Sequence, residues 1–79
     1  MAILLTLKDK ASSVLKIYEM FSVQPREELH LSLILSKIHA VGLRPTDVNT
    51  ALRIAQRRGW LERLDDGAYR LTPAGFAAI

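Results

Sequence analysis

Two runs with helical spacing stand almost end to end in this chain, and the join between them limits the fold more than any other feature. The first, LILSKIHAV, follows Ser32, which is expected to cap it. It stops at Gly42, because a glycine just past a helix is the usual left-handed terminator. The second begins within three residues, at Pro45, where a missing N–H is no loss in a first helical turn. Val48, Ala51, Leu52 and Ala55 follow at i, i+3, i+4 and i+7 and form one apolar face. Leu31, Ile34 or Leu35, Ile38 and Val41 form the inward face of the first run. Helices joined this tightly must cross and share a core with something else in the chain.

What they share it with lies on either side. Residues 7–22 read as a helix with Thr6 as N-cap and Asp9 three residues on, a weaker form of the capping box. Leu7, Ala11, Val14, Leu15, Tyr18 and Phe21 recur at helical spacing. Ile17 and Met20 lie off that face and read as core margin rather than as a stripe for a partner subunit. SVQPREEL is a break, since Pro25 disfavours helix at Gln24, and Leu29-His30-Leu31 alternates like a very short strand. After Gly59, Trp60, Leu61 and Leu64 resume as strand. Asp65-Asp66-Gly67 makes the turn and Ala68–Leu71 returns, the strongest hairpin signal present. Thr72 then caps a last helical turn with Pro73 at its first position. Trp60 and Tyr69 are expected as pegs under the hairpin.

The order is helix, short strand, helix, tight turn, helix, hairpin, helical turn. The expected fold class is mainly α with a small β-hairpin, and residues 1–79 form a single domain, since a chain of 79 residues has room for one small core. A hydrophobic share of 49% is that of a folded chain. With no cysteine, nothing is stapled by disulfides, which fits a reducing compartment. The five-residue apolar run near the start is too short for a signal peptide or a membrane span. A cytoplasmic protein without a membrane partner is expected.

The net charge of +3 is unevenly placed. From Lys37 to Arg63 there are six basic residues (Lys37, Arg44, Arg53, Arg57, Arg58, Arg63) against two acidic ones (Asp47, Glu62). A localised basic excess is the footprint of a polyanion partner, or else a solvated Arg-rich helix face.

The stretches VGLRPTDVNTALRIAQRRGWLERL and DGAYRLTPAGF resemble the winged helix-turn-helix superfamily of prokaryotic transcription regulators. The matching features are the glycine turn, then Val48, Ala51 and Leu52, then the Arg58-Gly59-Trp60-Leu61 step, then Tyr69, Arg70, Leu71, Thr72 and Gly75. The resemblance runs from about Ser32 to the end, and the first helix is expected to belong to it. It implies a winged helix-turn-helix, a three-helix core plus short wing, whose third helix docks in the major groove of double-stranded DNA. Two residues depart from the pattern. Asp65-Asp66 stands at the wing tip, where DNA-reading wings usually carry Lys or Arg, and Asp47 sits in the first turn of the third helix. Asp47 is expected to serve as a cap there.

On that reading the outward residues of residues 45–58 are the candidates. Asn49 can pair with adenine and Arg53 with guanine. Thr46 and Thr50 are short enough to bond phosphates, and Arg44 and Arg57 flank the helix. Arg70 in the returning strand and Lys37 in the preceding helix complete the DNA-binding set. A homodimer is expected, because one module of this size buries little surface on DNA. Its contacts could use Ile17 and Met20, or Phe76–Ile79. The alternative is a winged-helix module that binds protein and not DNA, favoured by the acidic wing tip and the apolar last residues. No enzyme is expected. His30 and His39 lack a third ligand for zinc, and no phosphate loop or nucleophile elbow occurs. No cofactor, metal or small-molecule substrate is implied.

Overall fold

The computed structural model describes residues 7–79, with side chains from Lys10 onward. The expected Thr6 cap and the side chains of Leu7 and Asp9 lie outside the described residues. The elements are α1 (Leu7–Met20), β1 (Glu28–His30), α2 (Leu31–Ser36), a 3-10 turn (Ile38–Val41), α3 (Pro45–Arg57), β2 (Leu61–Arg63), β3 (Ala68–Leu71) and α4 (Pro73–Ala77). The chain is therefore mainly helical with one small antiparallel sheet.

The core is built on α1 and α3. Ala11, Val14, Leu15, Ile17 and Tyr18 of α1 and Val48, Ala51, Leu52 and Ala55 of α3 are all buried. The small Ala11, Ala51 and Ala55 let the helix backbones come close, while the larger residues fill the flanks. Each fully buried Leu or Ile contributes roughly 1.5–3 kcal/mol relative to exposure. Ile17 is fully buried, so it belongs to the core proper and not to its margin or to a partner stripe. Met20, the other residue off the stripe, is exposed. The α1 helix also stops sooner than expected. Phe21 and Ser22 form a turn in which Ser22 takes φ +54 and the Val23 N–H returns to the Tyr18 carbonyl.

The second helical run differs most from its expected form. His30, not Ser32, is the N-cap: its ring Nδ1 accepts the Ser32 N–H at 3.2 Å. Regular helix ends at Ser36, because Lys37 takes φ −118, and the chain continues as the 3-10 turn. Tightening the last turn keeps Ile34 and Ile38 both buried while Leu35 is left exposed. Gly42 terminates it in the left-handed region, φ +78, as expected. Leu43, in the join itself, is buried and anchors the turn to the core.

The sheet has three strands in the order β1-β3-β2, all antiparallel. The hairpin of β2 and β3 is where the Asp-Gly signal puts it, with Gly67 at φ +82. The strand near Leu29 is not isolated: Leu29 pairs with Tyr69 and Glu28 with Arg70. The Tyr18 hydroxyl donates to the Tyr69 carbonyl at 2.7 Å, tying α1 to the central strand. At the end of the chain the Thr72 Oγ1 accepts the Gly75 N–H at 3.0 Å, the expected cap of α4.

Candidate nucleic-acid interface

The buried stripe of α3 decides what its other side presents. At about 100° per residue, Thr46, Asn49, Thr50, Arg53 and Arg57 share an arc of about 100° opposite Val48, Ala51, Leu52 and Ala55. All five are exposed. The arc thus combines short hydrogen-bonding side chains in the first two turns with two guanidinium groups toward the end. Among the described residues the ion pairs are Lys10–Asp47, Arg44–Asp47 and Arg70–Glu62, so Arg53 and Arg57 point their charge at solvent.

The start of α3 is fixed by Asp47. Its Oδ2 accepts the Arg44 N–H at 3.4 Å and the Arg44 Nε–H at 3.3 Å, and its Oδ1 accepts the Lys10 ammonium at 3.1 Å. The capping role expected of Asp47 is therefore present. Its residue is buried, and the Lys10 hydrogen bond, aided by Arg44, holds its carboxyl below the usual carboxylate value against the opposing effect of burial. A fixed negative charge at a helix N-terminus also complements the helix dipole. Lys10 is a residue the sequence reading missed. It lies 37 positions away, and nothing local in LKDKASS marks it as the partner of a carboxylate in another helix.

The remaining candidates divide. Arg44 stands next to the arc at the N-cap of α3, exposed, with its Nε engaged by Asp47 and its terminal nitrogens free to reach outward. Lys37 is exposed at the end of α2, on a different element from the arc. Arg70 lies in the central strand, half-buried, between Glu28 and Glu62 on its two neighbours. Residues directly opposite in a sheet share a face, and the Arg70 Nη1 is 3.5 Å from the Glu62 Oε1. Its charge is thus matched within the sheet. Sequence spacing could not show this, because Glu28 and Arg70 are joined only by the pairing of β1 with β3.

Beyond the arc, the Arg58 guanidinium lies 5.5 Å from the centre of the Trp60 ring, at a distance suited to a cation–π contact. Trp60 is half-buried and Tyr69 buried, as expected of pegs under the hairpin. Among the described residues no group of three His, Cys, Asp or Glu side chains converges to hold a metal ion. Nor is any helix among them long and apolar enough to cross a membrane.

Comparison of the chain with models of protein families, with curated proteins and with solved structures finds no match.

Proposed function

We propose that this chain is a winged helix-turn-helix module, a non-enzymatic cytoplasmic regulator of transcription that docks α3 in the major groove of double-stranded DNA. The observation that carries the reading is the exposed arc of α3, bounded by Asn49 and Thr50 with Arg53 between them and no apolar residue among them. Asn49 and Arg53 supply the bidentate geometries that suit adenine and guanine. Thr46, Arg44 and Arg57 meet the flanking phosphates. The Lys10–Asp47 link supports the same reading, because it removes the objection that Asp47 would repel a phosphate: its charge is already matched inside the protein. The wing, with Asp65-Asp66 at its tip, stays out of the minor groove, and Arg70 and Lys37 contribute only at the edge. Two copies acting as a homodimer would read half-sites about one helical turn apart.

Fluorescence anisotropy against a mixed-sequence duplex, at several salt concentrations, tests this. Binding should weaken steeply with salt, the slope counting the phosphates neutralised. Arg53→Ala should lower affinity by about 1–3 kcal/mol. No association at low salt would refute groove docking.

A further inference from the structure

At the far end of α1 from Lys10, an open groove of about 480 Å³ is lined by Phe21, Val23, Glu27, Glu28 and Leu29. None of these residues belongs to α3. Met20 and Lys10 are ten residues apart on α1, about 15 Å along its axis, so the groove is remote from the Lys10–Asp47 link at the start of the arc. Its apolar lining comes from Val23 and Leu29, which are buried, and from Phe21, which packs half-exposed against the core. Met20, half exposed, extends the apolar surface at the end of α1. The Glu27 and Glu28 carboxylates form the rim and are exposed. The Glu27 Oε1 accepts the Gln24 N–H at 2.7 Å, which ties the loop to its own backbone.

The groove adjoins an open strand edge. Toward β3 the ladder runs through Glu27, whose carbonyl accepts the Leu71 N–H at 2.8 Å, and Leu31, whose N–H donates to the Gly67 carbonyl at 3.0 Å. Hydrogen bonding alternates along an antiparallel strand, so Glu28 turns its N–H and C=O the other way, off the sheet. The cations nearest in sequence or register leave the rim acidic. Among the described residues neither Glu27 nor Glu28 is in an ion pair: Arg70 pairs with Glu62, and Arg26 pairs with neither.

We propose that this groove binds an extended peptide segment of another protein, carrying an apolar side chain flanked by Lys or Arg. The peptide backbone would pair with the outward N–H and C=O of Glu28, adding a short strand beside β1, and its apolar side chain would sit on Phe21, Val23 and Leu29. The mode is strand addition, in which main-chain bonds hold the peptide and side-chain pockets select it. The charge complementarity of Glu27 and Glu28 fixes the sign of the flanks. The site is independent of the DNA reading and would give the module a protein contact while α3 is occupied.

Amide-resolved NMR on the full chain tests this with three short synthetic peptides: Lys/Val-alternating, Glu/Val-alternating and Lys/Ser-alternating. The Lys/Val peptide should shift the amides of Phe21, Val23 and residues 27–30, and the other two should not. Glu28→Lys should weaken it roughly tenfold and Glu28→Gln by less, as rim charges do, while Arg53→Ala should leave it unchanged. Either Glu28 variant is checked for an unaltered spectrum elsewhere. The proposal is overturned if the Lys/Val peptide leaves these amides unmoved, or if all three peptides shift them alike. It is equally overturned if the amides move with protein concentration alone, the mark of a second copy in the groove. Contacts there from the chain's own first residues would also overturn it.

Discussion

Gly75 lies within α4, where replacing a glycine by alanine ordinarily stabilises by roughly 0.5–1 kcal/mol. Here the same change should destabilise. A Cβ built on Gly75 falls 2.9 Å from Leu71 Cδ1 and 2.9 Å from the Trp60 carbonyl carbon, and closer still to the Trp60 oxygen. Leu71 Cδ1 can rotate; the carbonyl cannot easily move, because it accepts the Thr72 N–H at 3.0 Å and lies 3.0 Å from the Thr72 Oγ1, whose proton it shares with the Gly59 carbonyl. Relief must come from shifting α4 outward, which stretches the Thr72 cap on the Gly75 N–H. Overpacking of this kind costs about 1–3 kcal/mol, and the helix-propensity gain offsets less than about 1 kcal/mol of it. A net loss of about 1–2 kcal/mol lowers Tm by roughly 4–8 °C per kcal/mol in a domain of this size. Thermal and urea unfolding followed by circular dichroism would read it, with the exposed Ala77→Gly as the control that reports propensity alone. A Gly75→Ala protein that melts at or above the parent temperature would refute the argument that close approach, rather than backbone freedom, requires this glycine.

Other outcomes follow from the core and the link. Leu43→Ala, in the join before α3, should cost about 2–5 kcal/mol in urea unfolding, a large share of what a small domain has. Asp47 has a lowered carboxyl pKa, so its contribution is present above the unfolded-state value and lost as pH falls through the folded one. Asp47→Asn should therefore be less stable at neutral pH and show a flatter loss of stability in acid. Burial pushes the Tyr18 phenol above its ordinary value, helped by nearby Tyr69 and Glu28. Its stabilisation is complete below the unfolded tyrosine pKa and falls as pH rises beyond it toward the folded value. Tyr18→Phe should lose about 1 kcal/mol at neutral pH with the bond to Tyr69, yet resist alkali better in the pH range above about 10. In DNA titrations Arg70→Ala should weaken binding less than Arg53→Ala, since Arg70 is matched by Glu62.

The sequence made the elements with strong local signals legible. The glycine turn at Gly42, the buried stripe of α3, the Asp-Gly hairpin and the Thr72-Pro73 cap each depend on residues within a few positions of one another. What escaped was set by distant partners. Ile17 sits off the six-residue stripe, yet is buried because the core closes over it. Leu29 could be read as a short strand, but not as the outer strand of a sheet completed 40 residues later at Tyr69. His30 displaced Ser32 as cap because its ring could reach the helix N–H from the strand. At the candidate interface the outward residues of α3 were readable from helical period alone, whereas the Lys10 clamp and the Glu28–Arg70–Glu62 row required the tertiary fold.

The central strand has a consequence for how the molecule assembles. β3 is the last of the three strands to leave a ribosome, and both β1 and the Tyr18 hydroxyl depend on it. The helices pack on one another without it, through contacts of α1 with the 3-10 turn and with α3. Without residues 68–71, however, Leu29 has no strand to pair with and the Tyr18 phenol, near the end of α1, has no acceptor. Residues 68–71 are therefore the keystone of the fold: β1, β2 and the hydroxyl of α1 all close on this one four-residue strand.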